Sequence, residues 1–207
     1  MCSSDLDYRL LVDCGLFQGR KELRLRNWEQ FPLNAGNIDA VLLSHAHLDH
    51  SGYLPALVAQ GFNGPIYSTP ATFDLCQILL RDAGKLQEEE ASYHNRHQTS
   101  KHHPALPLFT VEQAERALEQ FTTIPFGQIH EAGPFRATFH PNGHIIGSAS
   151  VDLQIGGKHL LFSGDLGRAT DVIMKRPEAP VYCDYLFMES TYGDRLHPDQ
   201  DRKSTRL

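Results

Sequence analysis

The 207-residue chain has no apolar run approaching the roughly 18 residues that a membrane span requires. Its first residues also lack the basic-then-apolar pattern of a signal peptide. A cytoplasmic protein with no membrane partner is the expectation. Cysteine is scarce: Cys2, Cys14, Cys76 and Cys183 are scattered, without the close pairing of a zinc ribbon or a redox motif. They read as incidental thiols, mostly in the core. Positive charge is also in short supply. A formal charge of -6 gives no general attraction to polyanions, so a nucleic acid would have to be held by a local groove and by metal charge. Internal repeats and low-complexity tracts are absent. What is present, 41% hydrophobic residues and 21% charged ones, is ordinary for one soluble domain with a real core.

Local patterns alternate between strands and helices. Tyr8 to Val12 is a short Leu-rich run that stops at Asp13-Cys14-Gly15, as a strand delivering an Asp to a turn would. Ile38 to Ser44 repeats the idea, with a run buried on both faces that ends at a cluster of histidines. Ser51 can cap a helix through about Gln60, terminated by Gly61. Pro65 to Ser68 suggests another strand, and Thr69-Pro70 an N-cap followed by Pro at the first helical position. Phe73, Cys76, Leu80 and Ala83 recur at helical spacing and mark a buried face.

Tyr93 to Pro107, with four histidines and two prolines, reads as a loop, and Thr110 with Gln113 fits a capping box opening a helix to about Gln120. Four strands follow at Phe135 to His140, Ser148 to Ile155, His159 to Ser163 and Tyr185 to Glu189, with Gly156-Gly157 as a hairpin turn. Strand-loop-helix units followed by a meander imply an α/β protein with layered sheets.

Both ends look foreign. Residues 201–207 resemble the translation of a common sequencing adapter, and Cys2 to Leu6 resemble its reverse strand. Residues 1–6 and 201–207 are therefore expected to be artefacts, with residues 7–200 as the native portion of a longer gene. Setting those ends aside leaves the charge balance acidic.

The chemistry concentrates in His45-Ala46-His47-Leu48-Asp49-His50, four metal-competent side chains within six positions. Imidazole and carboxylate are the ligands zinc prefers, and a loop leaving a buried strand can turn alternate side chains to one point. Solvated polar loops seldom gather three histidines directly after such a strand. The run offers His45 with His47 as one donor set and Asp49 with His50 as another. Two further candidates stand at predicted strand ends: His144 in Asn142-Gly143-His144-Ile145-Ile146-Gly147-Ser148, and Asp165 in Ser163-Gly164-Asp165-Leu166-Gly167. A second histidine-rich stretch, His94, His97, His102 and His103, reads instead as part of a polar loop.

Taken together, the set resembles the metallo-β-lactamase superfamily, in which an HxHxDH loop, a later His and a later Asp bind two metals at the mouth of an αββα sandwich. The resemblance implies that His45, His47 and His144 hold one zinc, that Asp49 and His50 hold a second, and that Asp165 bridges them. Two such ions activate water and clamp a phosphoryl oxygen, and Asp49 could orient or deprotonate that water.

Glu189-Ser190-Thr191-Tyr192-Gly193-Asp194-Arg195 and Asp13-Cys14-Gly15-Leu16-Phe17-Gln18-Gly19 are similar to motifs of the β-CASP RNA-processing nucleases. By that resemblance Glu189 supports a general-acid His, and Asp13 supports the ligands from behind without binding metal. The same family places its β-CASP insertion, its general-acid His and the last ligand of the second zinc after this point. The chain then corresponds to an incomplete sandwich, the amino-terminal part of a ribonuclease, weak or inactive alone. A small-molecule hydrolase acting on a thiolester or lactone, and a non-catalytic subunit of an RNA-processing complex, are the competing assignments. RNA is the expected partner, and a homo-oligomer is compatible with the sequence. Iron could stand in for zinc, although the all-His first set favours zinc.

Overall fold

In the computed structural model, which describes residues 8–179, 182–191 and 193–194, the first strands are short because each serves mainly to aim a loop. β1 (Leu10–Val12), β2 (Ala40–Leu42), β3 (Ile66–Ser68) and β4 (Phe121–Thr123) form a parallel sheet in that order. All three β2 residues are buried, as expected of a strand covered on both faces. Val41 packs towards the helices, while Ala40 and Leu42 pack towards a second sheet.

Five helices attend this sheet: α1 (Lys21–Leu25), α2 (Leu48–Ser51), α3 (Leu54–Ala59), α4 (Pro70–His97) and α5 (Val111–Leu118). The single helix expected from Ser51 is instead α2 and α3, separated at Gly52 and Tyr53, and Ser51 is the last residue of α2 rather than a cap. Its hydroxyl donates back to the Ala46 carbonyl at 2.8 Å. A Cβ on Gly52 would lie 2.5 Å from the Leu48 carbonyl and 2.9 Å from Leu16 side-chain carbons, so this break is also a point of tight packing.

α4 begins as its sequence predicts, with the Thr69 hydroxyl accepting from the Thr72 N–H and Pro70 at the first position. It does not stop at Tyr93. The helix continues to His97 and ends where Gln98 turns left-handed at φ 54°. Side chains one turn apart meet along its second half, Lys85 with Glu89 and Glu90 with His94, the latter within the histidine-rich stretch. Basic groups in the last turn also suit the helix dipole. α5 opens on the predicted capping box, with Thr110 and Gln113 exchanging bonds of 2.9 and 3.2 Å.

The second sheet contains β5 (Ile129–Ala132), β6 (Phe135–Pro141), β7 (Ala149–Ile155), β8 (Lys158–Phe162) and β9 (Tyr185–Phe187), antiparallel except for the parallel β8–β9 pair. Gly156 and Gly157, at φ 56° and 73°, close the β7–β8 hairpin in a conformation that favours glycine. β4 and β5 have no counterpart in the sequence reading. Both are edge strands with partly exposed residues, so the alternation that reveals a strand is weak in them.

One apolar cluster joins the helices to the first sheet, and a second, built on Leu42, Tyr67, Phe135, Phe139, Val151 and Leu153, lies between the sheets. Among the described residues these layers run helices, sheet, sheet, which makes the fold α/β with the sandwich core of the expected architecture. No helix among them is long and apolar enough to cross a membrane. The two terminal stretches read as adapter, residues 1–6 and 201–207, lie outside the described residues.

Phe139 is fully buried between the two sheets. Phe139→Ala should cost about 3–5 kcal/mol of unfolding free energy. Urea denaturation followed by circular dichroism should show the midpoint falling accordingly, with unchanged slope.

Candidate metal centre

Four strand ends and one short helix converge on a single point. β1 delivers Asp13, β2 delivers Ser44 and His45, α2 carries Asp49 and His50, the loop after β6 carries His144, and the loop after β8 carries Asp165. His47 sits at the N-terminal boundary of α2. Because parallel neighbours end side by side, residues far apart in sequence meet here without a long excursion of any loop.

Two groups of donors result. His45, His47, His144 and Asp165 form the first, and Asp49, His50 and Asp165 the second, with the ligand atoms of each lying within 4.8 Å of one another. In the first group His47 Nδ1 lies 3.1 Å from both His45 Nε2 and His144 Nε2. Asp165 Oδ2 is 3.8 Å from His45 Nε2 and 3.5 Å from His144 Nε2. Four donors arranged tetrahedrally around an ion at 2.0–2.1 Å stand about 3.3 Å apart, so this spacing fits a small cation. A protein-only explanation is poor, because one His47 nitrogen cannot make a full hydrogen bond to both neighbours at once.

In the second group Asp165 turns its other oxygen, Oδ1, to within 3.2 Å of His50 Nε2, while Asp49 Oδ2 stands 3.9 Å from the same nitrogen. The Asp165 carboxylate is thus divided between the two groups.

Asp13 organises this arrangement from behind. Its backbone is left-handed, at φ 57°, a conformation in which Asp is among the better-tolerated residues. One oxygen accepts the Ser44 N–H at 2.7 Å. The other accepts the Ser44 hydroxyl at 2.8 Å and His50 Nδ1–H at 2.7 Å. With its proton committed to Asp13, the Ser44 oxygen accepts from His45 Nδ1 at 3.0 Å. Both His45 and His50 therefore turn Nε2 towards the centre, and one carboxylate fixes the orientation of a histidine in each group. Gly15 lets α2 approach this strand end, since a Cβ there would lie 1.6 Å from the Asp49 carbonyl oxygen.

Supporting residues outside the charged set were invisible in the sequence. Asn142 donates its side-chain N–H to the Ser163 carbonyl at 3.0 Å, and its own carbonyl accepts the Gly167 N–H at 2.8 Å, so it ties the His144 loop to the Asp165 loop. Ser148 accepts the N–H groups of His144 and Ile145 at 3.1 and 3.0 Å. Their only sequence signal was membership of the Asn-Gly turn and its flank. Glu189 lies beside the centre, where its Oε1 accepts the Leu166 N–H at 2.6 Å, one residue beyond Asp165. Tyr192 and Arg195 of the same motif fall outside the described residues.

The electrostatics favour positive charge. Burial, and then the neighbouring His50, push His45 down to about 3, so it is a neutral donor. Burial opposes charge on His50 as well, yet hydrogen bonds to Asp13 and Asp165 outweigh it and hold its pKa up at about 10. Asp165, hydrogen-bonded to His50, is held down at about 2. Burial also lowers His144. His45 and His144 as neutral imidazoles beside an ionised Asp165 are the protonation states that a metal requires, whereas His50 must give up a proton to bind one. By contrast, burial raises the thiols of Cys14 and Cys76 to about 12, which leaves them as neutral packing groups.

The remaining histidines do not join in. His94 and His97 ride the last turn of α4, His102 and His103 follow it, and none belongs to a group of three or more possible ligands among the described residues.

The sequence profile of the metallo-beta-lactamase superfamily matches residues 5–194. Ribonuclease TTHA0252 of Thermus thermophilus is 39% identical over 189 residues, covering 91% of this chain and 39% of the relative. Transcription termination factor FttA of Methanothermobacter thermautotrophicus is 32% identical over 210 residues, covering 96% of this chain and 30% of the relative. The chain thus spans between 30% and 39% of the length of these relatives. Among solved structures, the metallo-beta-lactamase fold protein YhfI of Bacillus subtilis aligns at 22% identity and a TM-score of 0.46, over 77% of this chain and 51% of that one.

Asp13→Asn keeps a residue that tolerates the left-handed backbone while removing the charge that His50 and Ser44 address. Titration with zinc should show affinity falling roughly 10- to 100-fold, with the circular dichroism of the chain unchanged.

Proposed function

Because the chain belongs to the metallo-beta-lactamase superfamily, we propose that its cluster serves zinc-dependent cleavage of RNA phosphodiester bonds. The observation that carries this reading is the division of Asp165, one oxygen towards each of two donor groups. RNA as substrate rests on the ribonuclease name of a relative at 39% identity and on the Glu189 motif.

In this reading His45, His47 and His144 would hold one zinc and Asp49 and His50 another, with Asp165 common to both donor groups. Two zinc ions in such a site supply an acidified water as nucleophile and a clamp on the phosphoryl oxygens. The protein's own residues do the rest. Asp13 and Ser44 keep His45 and His50 turned inwards. Asp49, whose side chain is half exposed, would orient the attacking water or take its proton. Glu189 fixes the Asp165 loop through Leu166 and leaves Oε2 without a hydrogen bond among the described residues, available to support a proton donor to the leaving oxygen.

The two donor groups are unequal. The first has four donors and the second only three, one of them shared. One zinc should bind tightly and the other loosely, so turnover by this chain is slow.

Zinc titration of the 207-residue chain should reveal two classes of site, with the tighter lost in His144→Ala and the weaker lost in His50→Ala. With excess zinc the chain should hydrolyse bis(p-nitrophenyl) phosphate and single-stranded RNA slowly, and EDTA or Asp165→Ala should abolish both activities. A thiolester or lactone turned over in preference to the phosphodiester would replace this reading with a small-molecule hydrolase. Binding of a single zinc, untouched by His144→Ala, would remove its structural basis.

A further inference from the structure

We propose that the loop following β1 is a landing surface for single-stranded RNA beside the metal centre, formed by Phe17, Arg20, Lys21, Arg24, Arg26 and Trp28; this rests on the ribonuclease reading above. The chain as a whole is acidic, at -6, yet four of its 19 Lys and Arg residues fall within the seven positions from Arg20 to Arg26. All four are exposed, and none makes an ion pair among the described residues. Arg81, Lys85, Arg116 and Arg136 each pair with a nearby glutamate, and other cations without an ion pair among the described residues, such as Arg9, Lys101 and Lys158, stand apart in the sequence, whereas Arg20 to Arg26 holds four cations against the single acid Glu22.

Aromatic rings interleave with these cations. Trp28, the chain's only tryptophan, is 58% exposed and Phe17 is 44% exposed, with the Arg26 guanidinium 4.4 Å above the Phe17 ring. α1, the helix within this loop, has no buried residue, so Lys21 and Arg24 are not held there by core packing. Unpaired cations meet phosphates, and exposed rings offer stacking faces to bases, which is the combination that sequence-tolerant single-strand binding uses.

The surface is also fixed in place. Asn27 is buried and its side chain exchanges two hydrogen bonds with the Phe17 backbone, at 2.8 and 2.9 Å. One residue earlier, the Leu16 N–H donates to the Leu48 carbonyl at 2.8 Å, and the next residue along α2 is Asp49. A strand held on this loop therefore lies against the element that carries two of the metal-competent side chains. Charge complementarity selects RNA over a protein occupant, because a protein would have to bring matching carboxylates to all four cations.

Anisotropy of a fluorescein-labelled oligouridylate of about twelve nucleotides, with EDTA present to stop cleavage, tests this across a range of KCl concentrations. The combined variant Arg20→Gln, Lys21→Gln, Arg24→Gln, Arg26→Gln should flatten the slope of log K against log salt by about 3, at roughly 0.7 for each lost phosphate contact. Trp28→Ala should weaken binding about tenfold with the slope preserved. The combined variant Arg20→Lys, Arg24→Lys, Arg26→Lys should keep the wild-type slope. Wild-type affinity and slope in the Gln variant would overturn the proposal. So would loss of self-association in that variant with RNA affinity unchanged, which would mark the surface as a protein interface. Zinc-dependent cleavage of the same oligonucleotide separates the two readings: cleavage with unaltered binding in the variants sinks the landing surface alone, whereas altered binding without wild-type cleavage sinks the ribonuclease reading alone.

Discussion

The carboxylate of Asp13 is the constraint on which the rest of the site depends. It accepts from the Ser44 amide, the Ser44 hydroxyl and His50 Nδ1, and through Ser44 it also governs His45. Its hydrogen bond and its charge favour the protonated form of His50, against the burial that opposes it. The two donor groups are therefore not independent. One residue at the end of the first strand sets the orientation of a histidine in each.

The fold supplies what the side chains cannot. The buried parallel strand β2 ends at Leu42, and the segment that follows it, Leu43 to Ala46, stays buried as it turns towards the centre beside the end of β1. Opposite it, the loops after β6 and β8 are tied to each other by Asn142, so His144 and Asp165 reach the same point from the other sheet. The packed layer of Leu42, Phe139 and Val151 between the sheets fixes their separation, and with it the distances within the cluster. Core packing and site geometry are one problem here, because a shift of the sheets by a fraction of an ångström would move donors out of range of a common ion.

Charge is distributed unevenly, and the distribution separates two tasks. The centre gathers carboxylates and imidazoles, an arrangement that draws cations. The loop beyond Leu16 gathers exposed Arg and Lys beside exposed rings, an arrangement that draws polyanions. A net charge of -6 averages these into an unremarkable value, which is why composition alone gave no hint of nucleic acid. Local contrast matters more than the sum, since fields in water decay over about a Debye length of 8–10 Å.

The sequence by itself determined the donor-rich loop, the strand-to-turn positions of Asp13, His144 and Asp165, the α5 capping box and the β7–β8 hairpin, because each is written in contiguous residues governed by local chemistry. It also placed buried helical positions at Cys76, Leu80 and Ala83. Only the tertiary structure decided the rest. The continuation of α4 through five further residues, Tyr93 to His97, depends on helix context that outweighs a histidine-rich composition. The edge strands β4 and β5 exist because neighbours offer them backbone partners, not because their own residues alternate. Which oxygen of Asp165 faces which histidine, and the reach of Asp13 across 31 residues to Ser44 and 37 to His50, are relations between segments. Distances between segments are set by how layers pack, and no local pattern encodes them.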